Sequence, residues 1–423
     1  MKVIDLPYGR EKIQLRLPKN QRCQILEPKA YTTEATADQI LNHALENPIG
    51  SPKLREMTKA AKKILIITND HTRPMPSTLT IPAMIGRFFA PEEEYNITIL
   101  IATGLHRPMT QQEMLEQFGN EICRKHKLVN HFAKDEANLA SFGKMSTGNE
   151  LFLNRLAAEN DLVIAEGFIE SHFFAGFSGS RKSVLPGIAG ESTILANHRP
   201  ENIACLNARQ ACLTNNPIHN ECMEAAHMAG LQFILNVALD RNKRIIGAFA
   251  GDPLQAHLTG CRFVEETMSV DAKQTDIVVT SNNGYPLDRN LYQVVKGLDT
   301  ASKVVKENGV IIMAARCIDH VGHPGFGDLI LSCGSIRELH ERMSVSPSQV
   351  DKWQVQVLAR VLANQKVILV SEGIERELAE RMFFKYAETI DEAMRIAFSI
   401  VGRDASISVM PEGPVIIPRM VLQ

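Results

Sequence analysis

No apolar run in this 423-residue chain approaches the ~18–20 residues of a membrane span. The opening M-K-V-I-D-L-P-Y-G-R puts acidic and turn residues where a secretion signal needs an unbroken apolar core. A cytoplasmic protein is therefore expected. None of the eight cysteines (23, 123, 205, 212, 222, 261, 317 and 333) forms C-x-x-C, which argues against a disulfide framework and a structural zinc site. A formal net charge of −2 gives no reason to expect nucleic acid or an anionic membrane as partner. Low-complexity linkers and fixed-period repeats are also absent, so no solenoid is expected. What remains is an ordinary globular composition, 44% hydrophobic and 22% charged, long enough for two or three domains.

Strand and helix signals alternate along most of the chain. Val3 to Leu6 and Ile13 to Leu17 read as a hairpin around Tyr8-Gly9-Arg10. Lys63 to Ile67 is a short run rich in β-branched residues and fits a strand buried on both faces, as in a parallel sheet. Asn96 to Ala102, Leu162 to Ala165, Phe233 to Leu239 and Ile245 to Phe249 are further strands. A helix is expected near Leu79 to Phe89, and Thr110-Gln-Gln-Glu113 is a capping box that opens another. A second series starts near residue 275, with strands at Asp276–Thr280, Gly309–Ala314 and Lys366–Val370. The pattern predicts two α/β domains with mainly parallel sheets, 1–268 and 269–423, and an active site in the cleft between them.

Polar residues gather where these strands end. Asp70, Thr72 and Arg73 follow the first strand. Gly104 and His106 follow the second, and His172 and Lys182 follow the strand at 162–165. Asn283, Gly284 and Asp288 follow the strand at 276–280. Ligands of open α/β sheets bind outside the carboxyl ends of strands, so one site is expected, built mostly on the first domain and closed by the second. The densest stretch, Gly167 to Gly190, sets His172 and Lys182 around a small-residue loop containing Ala175, Gly176, Ser178, Gly179 and Ser180. Glycines let backbone N–H groups approach an anion. Imidazole binds metals and moves protons near neutral pH. Lysine serves as a point charge or a covalent anchor. The stretch is not a P-loop: Arg181 stands where G-x-x-x-x-G-K-[ST] needs glycine, and the preceding strand ends too early.

Five blocks together resemble the lactate racemase family of nickel-pincer-nucleotide enzymes. They are T-N-D-H-T-R-P-M-P-S at 68–77, A-T-G-L-H-R-P-M at 102–109, the 167–190 stretch, N-H-R-P at 197–200, and S-N-N-G-Y-P-L-D-R-N-L-Y-Q-V-V-K-G at 281–297. The resemblance implies a pyridinium mononucleotide with thioamide and thiocarboxylate sulfurs that binds nickel through one carbon and two sulfurs. It implies covalent attachment of this group to Lys182 and a nickel ligand in His198. It makes His106 and His172 the two acid/base residues. Arg73, Tyr292, Gln293 and Lys296 fall around substrate and cofactor, with Asp70 close by; Gly176, Ser178 and Gly179 form the cofactor loop. Ser180 departs from the family, which usually has a second glycine there. The likeness fades after about residue 330.

The implied chemistry is physically coherent. Removing an unactivated C2–H beside a carboxylate as a proton is hard. Moving it as a hydride to a pyridinium ring avoids a carbanion and needs a base for the hydroxyl proton. The planar keto acid can take the hydride back on either face, which accounts for two histidines. Arginine grips a carboxylate through two parallel bonds. Square-planar nickel with soft ligands leaves one position for an imidazole. The expected activity is inversion at C2 of lactate or another short 2-hydroxy acid. The alternatives are C2 epimerisation of a sugar acid such as gluconate, and a non-catalytic nucleotide- or nickel-binding protein. Expected partners are the small substrate and the enzymes that mature the cofactor; a homo-oligomer is compatible with the sequence. His320 and His323, in D-H-V-G-H-P-G, are either plain loop residues or a lining of the pocket from the second domain.

Overall fold

The computed structural model describes residues 1–28, 31–345 and 347–421. The chain forms two compact units, one of residues 30–197 with 211–266, the other of 1–29 with 198–210 and 267–423. This differs from two consecutive domains meeting at 268/269. The reason is visible in the sheets. Cys23–Ile25 hydrogen-bonds to Ile407–Met410 as the edge strand of the second unit's sheet. The expected N-terminal hairpin, Lys2–Tyr8 with Glu11–Leu17, buries Leu6, Leu15 and Leu17 in the same unit's core.

The residues expected at the site in the first unit follow the strands of a six-stranded sheet. Its spatial order is Ile245–Gly251, Leu231–Leu239, Leu162–Phe168, Lys63–Asn69, Asn96–Ala102, Lys127–Asn130. All neighbours run parallel except Ile245–Gly251 with Leu231–Leu239. Numbered along the chain, that is the doubly wound order 3-2-1-4-5-6. The order reverses between Lys63–Asn69 and Leu162–Phe168, the kind of switch point at which open α/β sheets bind ligands beyond the strand C-termini. Ile64, Leu65, Ile66 and Ile67 are fully buried, as a central parallel strand requires. Each contributes about 1.5–3 kcal/mol of transfer free energy.

The second unit carries a wholly parallel sheet in the order Lys385–Ala387, Lys366–Val370, Val305–Ala314, Thr275–Ser281, Ile407–Met410, Cys23–Ile25. The helix that follows Thr275–Ser281 runs Leu291–Val304 and is capped by Asn290, whose side chain accepts from the Gln293 N–H. Among the described residues no helix is long and apolar enough to cross a membrane.

Candidate active site

Asp70 leaves the central strand just where the sheet order reverses. Its side chain is nearly buried, and both oxygens are engaged. Oδ1 accepts from the Thr72 N–H at 3.1 Å and the Thr72 hydroxyl at 2.5 Å. Oδ2 lies 2.7 Å from His106 Nδ1. Burial opposes the charged carboxylate, but His106, Arg73 and Thr72 outweigh it, and Asp70 is held well below the usual carboxylate range. A carboxylate only accepts, so His106 Nδ1 donates and the neutral ring keeps Nε2 bare. Asp70, expected among the cofactor contacts, is thus committed to orienting His106.

Arg73 is half-buried and reaches Thr72 through Nη1, 3.0 Å from the hydroxyl and 3.3 Å from the carbonyl. Among the described residues no carboxylate lies within ion-pair distance of it. Its guanidinium edge therefore remains available to an anion. His106 itself sits on a tight turn after Asn96–Ala102, in which its N–H bonds to Thr103 O at 2.9 Å. The neighbouring Gly104 N–H bonds to Gly187 O at 2.8 Å, tying this turn to the far end of the Lys182 loop.

His172 and Lys182 meet across that loop, with Lys182 Nζ 3.1 Å from His172 Nε2. The His172 ring is buried and stacks on Phe173, with Phe174 edge-on at 4.6 Å. Its Nδ1 accepts from the Ala175 N–H at 3.2 Å. Lys182 Nζ also lies 5.3 Å from the centre of the Phe174 ring.

The loop glycines have packing reasons of their own. Gly176 has φ +78°, and a Cβ there would lie 2.5 Å from Cys212 O. Gly179 has φ +115°, with His257 Nδ1 2.8 Å from the position of a Cβ. Ser178 turns inward: its hydroxyl donates to Phe168 O and accepts from the Glu170 N–H, both at 2.8 Å. Ser178 closes the loop onto its parent strand, which differs from the expected contact with a bound group.

Sequence reasoning missed two buried charges beside these residues. Glu166, on the strand flanking the reversal, is fully buried and accepts hydroxyls from Thr68 and Ser77, both at 2.5 Å, and from Thr80. Burial pushes its carboxyl up despite these bonds. It ties the end of Lys63–Asn69 to the Ser77–Ile85 helix and so fixes the segment that bears Asp70 and Arg73. An acidic residue in an apolar strand pattern was the available signal. Arg181, noted only as a misfit to a P-loop, is the largest of the fully buried side chains.

The remaining expected residues belong to the other unit. Tyr292 and Lys296, four residues apart, share one face at the start of Leu291–Val304, and Gln293 stands three residues before Lys296. Tyr292 stacks on His323 at 4.0 Å with the rings 9° apart, and His323 Nδ1 lies 3.1 Å from Asp351 Oδ1. Thus His323 supports Tyr292, while His320 binds Gly373 O at 2.8 Å. The His198 ring is buried 4.9 Å from that of Trp353, and the next residue, Gln354, donates to Tyr292 O at 2.5 Å. One helix start thereby holds both His198 and Tyr292.

The cationic side chains of the first unit, Arg73 and Lys182, fit an anionic organic group, and such a group would bring its own metal ligands. In the first unit Asn69 Oδ1, at the end of the strand that leads to Asp70 and Arg73, is buried without a hydrogen-bond partner among the described residues, as expected of an atom awaiting a ligand. In the second unit the same holds of Gln293 Oε1. Among the described residues no three His, Cys, Asp or Glu side chains converge into a metal cluster. His198 would offer a metal one imidazole, and the group itself would supply the other ligands.

The chain is similar to known proteins over nearly its whole length. Residues 8–210 match the lactate racemase N-terminal domain and residues 270–417 the lactate racemase C-terminal domain. The chain is 44% identical to a lactate racemase of Thermoanaerobacterium thermosaccharolyticum, over 98% of this chain and 99% of that one. It is 41% identical to the lactate racemase of Lactiplantibacillus plantarum, over 98% and 99%. The solved lactate racemase apoprotein from T. thermosaccharolyticum superposes with a TM-score of 0.95 at 43% identity, covering 99% of this chain and 100% of that one. A Thermotoga maritima protein shares the fold at a TM-score of 0.65 and 18% identity, covering 91% of this chain and 97% of that one. The chain is an isomerase and belongs to the lactate racemase family.

Proposed function

We propose that the protein racemises lactate or a closely related short 2-hydroxy acid, with a nickel-pincer nucleotide attached to Lys182 and its nickel held by His198. The reading is carried by one observation: the Lys182 amine stands 3.1 Å from His172 in a chain 44% identical, end to end, to a lactate racemase. When bound, the nucleotide supplies reversible acceptance of the C2 hydrogen with its electron pair. Everything else falls to side chains. Arg73 grips the substrate carboxylate bidentately and fixes C2 in place. Gln293 and Lys296 would orient the bound molecules, and Tyr292 would pack against the cofactor. His106, its Nδ1–H held by Asp70, offers a bare Nε2 to the hydroxyl proton of one enantiomer. His172 serves the other enantiomer. A covalent bond from Lys182 to the nucleotide would leave its nitrogen without basicity, and the His172 Nε2 edge would then be open to proton transfer. Gly176 and Gly179 shape the loop that receives the nucleotide.

Intact and peptide mass spectrometry tests the reading on protein produced together with the cofactor-maturation enzymes. A mass adduct on Lys182 and interconversion of L- and D-lactate are expected; Lys182→Arg should abolish both. Unmodified protein that racemises lactate at full rate would overturn the assignment. A panel of lactate, malate, 2-hydroxybutyrate, phenyllactate and gluconate, followed by chiral analysis, fixes the substrate. His106→Ala and His172→Ala should each lower turnover about 10²-fold or more.

A further inference from the structure

Arg181 is 1% exposed, and its four hydrogen bonds all go to uncharged acceptors. Nη1 donates to Ser178 O at 2.9 Å. Nη2 donates to Ala175 O at 3.0 Å and Phe177 O at 2.9 Å. Nε donates to His219 Nδ1 at 2.9 Å. Burying a guanidinium without a carboxylate is costly. Three of its bonds are spent on consecutive turns of one loop, between His172 and Lys182. The planar fork can satisfy three carbonyls only if they converge, so the cation sets the loop's curvature.

The clamp has a backing of its own. His219 must stay neutral to accept from Arg181, and its ring faces His257 with centroids 6.2 Å apart. The His257 ring fills the space beside Gly179. Asn236 Oδ1 accepts from the Ser180 N–H at 3.0 Å and the Ser180 hydroxyl at 2.6 Å. Asn216 Nδ2 donates to Phe174 O at 2.9 Å. All four backing residues lie between 211 and 266, outside both matched domain spans. Ser180, the departure from the usual glycine, is therefore used: its hydroxyl is the second tie to Asn236.

We infer that Arg181, seated on His219, is a positioning residue that presents Lys182 for covalent loading and holds His172 in register beside it. The inference rests on the proposed roles of Lys182 and His172, but its test does not depend on them alone. Four proteins decide it: wild type, Arg181→Met, His219→Leu and His219→Gln. His219→Leu removes the acceptor for Nε, whereas His219→Gln can restore it.

Two readouts are taken. In the unloaded proteins, amide hydrogen exchange is followed across residues 172–182, with Ile64 to Ile67 as internal reference. Acetylation of the Lys182 amine by an N-hydroxysuccinimide ester is followed against surface lysines of the same sample. In proteins made with the maturation enzymes, the loaded fraction of Lys182 is read by mass. Arg181→Met and His219→Leu should speed loop exchange about tenfold or more, the factor that loss of one buried hydrogen bond gives. They should shift the Lys182 acetylation rate and lower loading to a similar degree, with reference amides unchanged. His219→Gln should stay within about threefold of wild type. If Arg181→Met does not fold, the His219 pair carries the decision. Native exchange, acetylation and loading in folded Arg181→Met, or no difference between His219→Leu and His219→Gln, overturns the inference. Wild type that never acquires an adduct overturns the proposed cofactor attachment instead, and the exchange and acetylation readouts still decide the clamp.

Discussion

Replacing Asp70 by Asn changes one atom and reverses the proton position of His106. Asp70 Oδ1 receives two donors from Thr72, at 3.1 and 2.5 Å. In the variant those donors pin the amide oxygen at the same place, because the amide NH₂ cannot accept from them. The NH₂ therefore faces His106 Nδ1, 2.7 Å away in the native protein. Nδ1 must then accept, and the ring proton moves to Nε2, the edge offered to substrate. A bond to a charged group worth about 1.5–3 kcal/mol is weakened, and a general base worth about 10²–10⁴ in rate is blocked. The expected fall in kcat/KM is about 10²–10⁴, with Lys182 loading and the melting curve close to native. Asp70 lies well below the usual carboxylate range, so it stays ionised from about pH 5 to 8. Racemisation assays in both directions, run across that window, provide the check. A variant within about threefold of wild type in both directions would refute the argument that Asp70 sets the His106 tautomer.

Arg73→Lys should raise KM and lower kcat together, by about 10–10² in kcat/KM, because an ammonium cannot reproduce the bidentate grip; steady-state kinetics on lactate measures both. His131 is buried, binds Ala189 O at 3.0 Å, and has its pKa pushed down to about 4, chiefly by burial. Its unfolded-state value near 6.5 is higher, so the unfolded chain binds the proton first and stability is lost as pH falls from 6.5 towards 4. Urea unfolding should show His131→Gln losing about 2 kcal/mol less than wild type between pH 7 and pH 5. Glu166→Ala strands three hydroxyls and should cost about 2–4 kcal/mol. Glu166→Gln keeps an acceptor in a pocket that already favours the uncharged form, and should cost less than about 1 kcal/mol in the same assay.

The strands that position the site were legible because each is a short, mostly apolar run rich in β-branched residues. Lys63 to Ile67 and Asp276 to Thr280 are examples, and both prove central in parallel sheets. The capping box at Thr110 and Glu113 was legible for the same local reason and opens Gln111–Lys125. Cys23–Ile25 was not read as a strand. It has only three residues, and it pairs with Ile407–Met410 across the whole length of the chain. The discontinuous division into units followed from the same long-range pairing. At the site, residue identities were readable from motifs, but partners were not. Asp70 reads as one more polar loop residue until its carboxylate is found on His106. Ser178 reads as part of the cofactor loop until its hydroxyl is found turned into the strand. Arg181 and Glu166 escaped because burial of a charge is decided by tertiary packing, which no local pattern records.

The most direct test of the account follows the hydrogen at C2. L-lactate carrying deuterium at C2 is converted by the loaded enzyme in ordinary water, and the D-lactate formed is analysed by mass. The account predicts that the deuterium stays at C2 through inversion, because the hydrogen leaves and returns with its electron pair while His106 and His172 handle only the hydroxyl proton. Wholesale replacement of the label by solvent hydrogen would contradict it and would make the two histidines carbon bases.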